Sequence, residues 1–412
     1  MRTAEKSKAN DLAFYVLICS YFCVSLGLNN GFILGGLTAF DGGFLERLDI
    51  TVAQLKLRDS MTFIIVGVFA LATGALVDKL GALRVLMIGH VLFGLAFWLL
   101  STAQSIQTIY VSQAILGLCQ LCSGYLVCVI ALSRYLPYKV GLAIGLMLAA
   151  TSLGNAILPA LNFSLIENYG PTKALLVIAA TALPLLIGAL AISRAKPRGD
   201  MPAQSDTEAA PGPTLPDALR RVDFWALCVI AGASFFSFAG MATNVAIYAD
   251  SAPFFDIRFA EKFFFTLFIA ALITQVAAGW IADSGLVRPF HCFGLLCMSA
   301  ATLGIALSAT VGSASIYFGL LGFGWGFNYV FIQAAVPKRF AGQSLGKIFG
   351  AILVAEAIAG ALGPYVFGLI YDSTKSYSGI LYVSSGALFI AVLAAAILHA
   401  PHAQLQAKPQ TV

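Results

Sequence analysis

From Val85 to Tyr110 the chain carries no Lys, Arg, Asp or Glu. An uncharged run of that length crosses the hydrocarbon core of a bilayer as a helix. The pattern recurs along the chain. Candidate spans fall at about 12–38, 59–78, 84–103, 107–133, 140–166, 172–193, 223–248, 262–283, 289–309, 312–336, 346–371 and 379–399. Only 10% of the 412 residues are charged and 59% are hydrophobic, against about 25% charged in soluble domains. The predicted class is therefore an all-α membrane protein with twelve transmembrane helices. The net charge of +5 reads as an orientation signal and not as a nucleic-acid footprint. The first apolar run is too long for a signal-peptide core.

Residues 195–222 interrupt the pattern. They hold Pro197, Pro202, Pro211, Pro213 and Pro216 among charged residues, as a solvated linker does. The expected organisation is an N-terminal six-helix bundle over 1–194, a cytoplasmic linker over 195–222, and a C-terminal six-helix bundle over 223–412. With both termini in the cytoplasm, only Arg47, Lys56, Arg58, Lys173, Arg258, Lys262 and Lys375 of the 24 basic residues fall on the outer side. That asymmetry supports this orientation.

The two halves repeat. At a shift of 205 residues, Gly27 meets Gly232, Gly74 meets Gly279, Asp78 meets Asp283 and Gly117 meets Gly322. Arg134 meets Arg339, Gly141 and Gly145 meet Gly346 and Gly350, and Pro159 meets Pro364. Shared hydrophobicity does not produce coincident Gly, Pro, Arg and Asp. An even number of spans per half makes the repeats parallel, related by an axis along the membrane normal.

Between spans 2 and 3 lies Gly74-Ala-Leu-Val-Asp78-Lys79-Leu80-Gly81-Ala82-Leu83-Arg84. This stretch resembles the signature loop of the major facilitator superfamily, roughly G-x-L-x-D-R-x-G-x-R-R, with Lys79 for the first Arg and Arg84 as the one later basic residue kept. The resemblance implies two pseudo-symmetric six-helix bundles and alternating access gated at this loop. It assigns gating to Gly74, Asp78, Lys79 and Arg84, to Asp283 in the second half, and to Arg134 and Arg339 as partners of the two acids. The run Leu132-Ser-Arg134-Tyr-Leu-Pro137-Tyr-Lys-Val-Gly141-Leu-Ala-Ile-Gly145 resembles the monocarboxylate-transporter-like branch. So does Gly363-Pro364-Tyr-Val-Phe-Gly368-Leu-Ile-Tyr-Asp372. That branch includes lactate, oxalate/formate and bacterial riboflavin carriers. Its carboxylate carriers hold basic residues inside spans 1, 8 or 11, and this chain has none there.

Glu356, in Ala351-Ile-Leu-Val-Ala-Glu356-Ala-Ile-Ala-Gly360, is the one carboxylate of nineteen placed well inside a span. A carboxyl at membrane depth faces a cavity or a partner. It reads either as a proton-coupling residue or as a neutral group tying span 11 to a neighbour. Uncharged polar residues cluster in the spans that line the cavity in this fold: Asn29, Asn30, Gln120, Tyr125, Asn155, Asn244, Gln275, Trp325, Asn328, Tyr329 and Gln333. Residues 325, 329 and 333 recur every four positions as one stripe, suited to a planar or partly apolar solute. The competing reading is interhelical hydrogen bonding.

The expected function is secondary active transport, with proton symport, of a small neutral, zwitterionic or weakly charged solute. A proton-linked monocarboxylate carrier using a rim residue such as Arg58 or Lys347 is the alternative. A non-transporting membrane sensor on the same fold is the alternative from another class. No nucleophile–base set appears at membrane depth, so an enzyme is not expected. The eight cysteines sit in or beside apolar runs without zinc spacing, so no metal or cofactor is expected. The expected partners are the solute, protons and the lipid bilayer. The expected state is a multi-pass monomer in a bacterial inner membrane.

Overall fold

The computed structural model describes residues 2–125, 127–128, 140–194, 212–251, 259–282, 286–340 and 345–399. The described residues are helical throughout: α1 (Arg2–Asn30), a π-turn (Gly31–Gly35) and a 3-10 turn (Gly36–Phe40) leading into α2 (Asp41–Leu48), then α3 (Val52–Leu80), α4 (Ala82–Ser101), α5 (Ile106–Ser123), α6 (Val140–Tyr169), α7 (Pro171–Ala180) and α8 (Ala182–Arg194). A short α9 (Leu215–Leu219) precedes α10 (Val222–Ser251), α11 (Phe259–Ile281), α12 (Val287–Ala306), α13 (Val311–Arg339), α14 (Leu345–Thr374) and α15 (Ser378–Leu398). Ten stretches among the described residues are long and apolar enough to cross a membrane. The expected second and fourth spans, in α3 and α5, are not among the ten. Outward faces are apolar: Leu183, Ile187 and Leu190 follow helical spacing on α8 and are all exposed, as lipid-facing residues are.

The turn between α3 and α4 is a single residue, Gly81, at φ 83°, a backbone region that costs glycine nothing. The chain groups into two compact units, Met1–Leu37 with Phe69–Thr207, and Thr38–Val68 with Glu208–Val412. Each unit packs helices at the same register, offset by 205 residues. In the first, Gly31 of the π-turn meets Leu158 of α6; in the second, Phe236 of α10 meets Gly363 of α14. Gly154 and Gly27 touch through their backbones, and their counterparts Ala359 and Gly232 also face each other. The sequence repeat is therefore a packing repeat.

The halves differ where α1 stops being regular. Its π and 3-10 turns at Gly31–Phe40 release backbone groups from the α-helical ladder. In an apolar bundle such groups need side-chain partners. Asn155 Oδ1 accepts from Gly35 N at 3.1 Å, and Asn162 Nδ2 donates to Gly36 O at 2.9 Å. Both asparagines belong to α6.

Candidate functional site

The second unit presents an aromatic stack. Phe238 of α10 lies 3.9 Å from Trp325 of α13, nearly parallel at 8°. Trp325 in turn lies 5.3 Å from Tyr329 at 10°. Phe235 closes edge-on against both, at 5.0 and 6.0 Å. Ring pairs in these geometries stabilise beyond their buried area. Trp325 is buried, while Tyr329 and Gln333, one and two turns on, are partly exposed. This is the stripe expected from the spacing of four.

Asn328 sits on the other face of α13 and points away from that stripe. Its Oδ1 accepts from His291 Nε2 at 3.1 Å, which leaves His291 Nδ1 to accept from His399 Nε2 at 3.0 Å. Burial, with Arg339 and Arg288 beside it, holds His399 down near a pKa of about 4, so this residue, just past the last span, is neutral at ordinary pH. Asn328 thus belongs to an α12–α13–α15 packing chain.

Other predicted site residues divide in the same way. Asn244 is fully buried; its Nδ2 donates to Gly240 O at 2.8 Å and its Oδ1 accepts from Tyr377 at 3.0 Å. Asn155 is used by the α1 break. Asn29 is fully buried and donates to Ser123 Oγ at 2.9 Å, with its Oδ1 lacking a hydrogen-bond partner. Asn30 accepts from Gln120 Nε2 at 3.4 Å. Asn30, Gln120 and Tyr125 are partly exposed in the first unit. Gln275 is buried in α11.

Glu356 on α14 is 5% exposed, and its Oε1 has no hydrogen-bond partner among the described residues. It is not the only buried carboxylate among the described residues. Asp41, Asp59 and Asp223 are buried too, but each is answered by cations. Asp41 pairs with Lys56 and, at 2.9 Å, with Arg58; Asp59 takes Arg58 Nε at 2.9 Å. Lys56 also donates to Thr243 O. Charge counting along the sequence puts Lys56 and Arg58 on the outer side. Helix α3 instead starts at Val52, capped by Asp372, which accepts from Val52 N and Ala53 N at 3.1 and 2.7 Å. That start buries both cations completely. The legible signal was their spacing with Asp59 at the edge of an apolar run, two charges of each sign once Asp41 is counted.

Of the gating set, Lys79 and Arg84 are exposed. Arg339 pairs with Asp223 at 3.4 Å, beside Arg221 at 2.7 Å. Arg134, Asp283 and the side-chain surroundings of Gly74 and Asp78 lie outside the described residues.

The sequence profile described as Major Facilitator Superfamily matches residues 17–364. The chain is similar to an uncharacterized MFS-type transporter, YhjX, of Escherichia coli, at 23% identity over 77% of this chain and 79% of that one. It is similar to monocarboxylate transporter 13 of Rattus norvegicus at 26% identity, covering 77% and 73%, and to monocarboxylate transporter 4 of the same species at 25%, covering 76% and 67%. In fold it is similar to the crystal structure of a bacterial homologue of the human lysosomal transporter Spinster. There the TM-score is 0.71 at 12% identity, over 97% of this chain and 99% of the other.

Proposed function

The chain belongs to the major facilitator superfamily and is a transporter, not an enzyme; from that premise we propose a proton-coupled carrier of a small organic solute with a planar or apolar part. In this reading twelve spans alternate access to the solute, which Trp325, Tyr329 and Gln333 of the second unit contact; Asn30, Gln120 and Tyr125 are the partly exposed polar groups of the first unit proposed for solute contact. Glu356 exchanges the coupling proton. Both termini are cytoplasmic, the protein is a monomer in a bacterial inner membrane, and the loop around Asp78, with Asp283, Arg134 and Arg339, gates the inner side. The observation that carries the reading is Glu356: a buried carboxyl with an unpartnered oxygen is an intramembrane group that similar packing needs alone do not account for.

A second reading, proton-linked monocarboxylate transport, is favoured by the likeness to monocarboxylate transporters. Against it, Lys56 and Arg58 are already paired with Asp41 and Asp59. Proteoliposomes loaded with a pH-sensitive dye separate the claims. Monocarboxylates, amino acids, nucleobases and flavins are added in turn to wild type and to Glu356→Gln. The expected result is solute-dependent proton entry in wild type, and solute counterflow without proton entry in the variant. Unchanged proton movement in Glu356→Gln removes the coupling role.

A further inference from the structure

Helices α10 and α14 lie side by side in the second unit, and their contacts step together. A Cβ on Gly232 would stand 4.0 Å from Ala359 Cβ, one on Gly363 2.5 Å from Phe236 O, and one on Gly240 2.5 Å from the Phe367 ring. Each step is four residues on both helices, so the two run parallel in a fixed register. One turn before Gly232 stands Cys228, and the same step on α14 reaches Ala355, beside Glu356. Helical side chains lean toward the N-terminus of their own helix, which brings the Glu356 carboxyl to the level of Cys228. The two groups are electrostatic neighbours.

Each member of this pair can supply what the other lacks. Glu356 is buried, and its Oε1 has no hydrogen-bond partner among the described residues. Cys228 is half-buried and carries a free thiol. Its S–H is a weak donor, and a thiol beside a carboxylate keeps its proton. The charged and titratable groups of the other packed elements are engaged elsewhere. Helix α3 meets this part of α14 with Gly67 and Phe63, opposite Ala357 and Gly360. Asp217 of α9 is bonded by Thr214, and Asp223, nearer the start of α10, by Arg221 and Arg339. Lys338 of α13 donates to Ala282 O, and His399, just past α15, bonds His291. Lys347 lies more than two turns before Glu356 on α14 itself.

The repeat isolates the feature. At the shift of 205 residues Cys228 falls on Cys23 and Glu356 on Thr151. The thiol recurs in both halves, and the carboxyl beside it stands in one. Cys23 shares a hydrogen bond with Cys19 instead.

We infer that Cys228 is the positioning residue of Glu356: when the carboxyl loses its proton, the Cys228 thiol donates a hydrogen bond to the carboxylate and holds it on the α10 side of α14. This rests on the proton role proposed for Glu356. It adds the group that receives the ionised form.

The test is infrared spectroscopy of the S–H stretch across a pH series, on the full chain in proteoliposomes. Subtracting the Cys228→Ser spectrum isolates Cys228 from the other thiols. A carboxylate is a stronger acceptor than a carboxyl. The Cys228 band is therefore expected to move to lower frequency as Glu356 ionises, and to stay fixed in Glu356→Gln. A band that ignores pH in wild type, or that moves equally in Glu356→Gln, overturns the inference. The second readout is the pH profile of solute-dependent proton entry. Cys228→Ala is expected to displace it by about one pH unit, and Cys228→Ser, which keeps a donor, to restore it. Cys23→Ala, the matched thiol of the first half, is expected to leave it at wild type. With the coupling role intact, a wild-type profile in Cys228→Ala overturns the positioning role. So does a profile displaced equally in Cys228→Ser or Cys23→Ala. The S–H band is independent of transport. A pH-sensitive band together with a wild-type proton response in Glu356→Gln would keep the thiol–carboxyl pair and discard the coupling role.

Discussion

A buried charge persists in this bundle where a second side chain answers it. Asp41 shows the rule: it takes both Lys56 and Arg58 while fully buried. Asp41→Asn leaves two buried cations with Asp59 as their remaining anion, and breaking such a pair costs about 3–5 kcal/mol. Denaturant or thermal unfolding in detergent is expected to show that loss. Asp41→Leu with Lys56→Met is expected to recover much of it, since well-packed apolar groups of similar volume replace buried pairs at little cost. Glu356 is the contrast. Its Oε1 has no hydrogen-bond partner among the described residues, so Glu356→Gln is expected to leave stability near wild type while changing the proton response. Asp41 stands between apolar runs and Glu356 inside one. Partnering, as well as sequence depth, separates the structural charge from the functional candidate.

At the scale of elements, the break in α1 gives a structural partner to Asn155, a residue that the sequence pattern assigns to a pocket. Gly31, Gly35 and Gly36 let the chain pass from α through π to 3-10 geometry, and α6 repairs the freed backbone through Asn155 and Asn162. Asn162→Ala would strand Gly36 O in an apolar interior, at about 1–3 kcal/mol. Asn155→Ala would strand Gly35 N at a similar cost. Unfolding of the double variant is expected to fall short of the sum, because both asparagines serve one break. Restored full stability in Asn162→Ala would mean that Gly36 O finds another donor. On α13 the division is by face. Trp325, Tyr329 and Gln333 share one side, while Asn328, on the other, serves His291 and His399. The period of four identified the first set; the second depends on which helix lies behind.

At the scale of the molecule, two similar halves are chemically unequal. Glu356 occupies the position of Thr151, and the aromatic stack of Phe238, Trp325 and Tyr329 belongs to the second unit. A solute that uses this stack should stabilise the fold by RT ln(1 + [L]/Kd). Thermal shifts against monocarboxylates, dicarboxylates, amino acids, nucleobases and flavins are expected to show hits among planar or neutral solutes, lost in Tyr329→Ala. Hits confined to monocarboxylates would reject the planar-solute reading.

Hydropathy, the repeat of 205 residues and the loop from Gly74 to Arg84 determined the membrane class, the helical fold and the family. These are properties of spacing, and lipid accepts few other solutions to it. The buried start of α3, the capping of that start by Asp372 and the repair of α1 by α6 were decided by the tertiary structure. Each joins residues far apart in the chain, and a linear sequence states which groups are polar without stating which of them meet. The grouping of residues 38–68 with the second unit has the same cause. A charged segment at the edge of an apolar run can be solvated or buried, and the opposite charges that await it decide which.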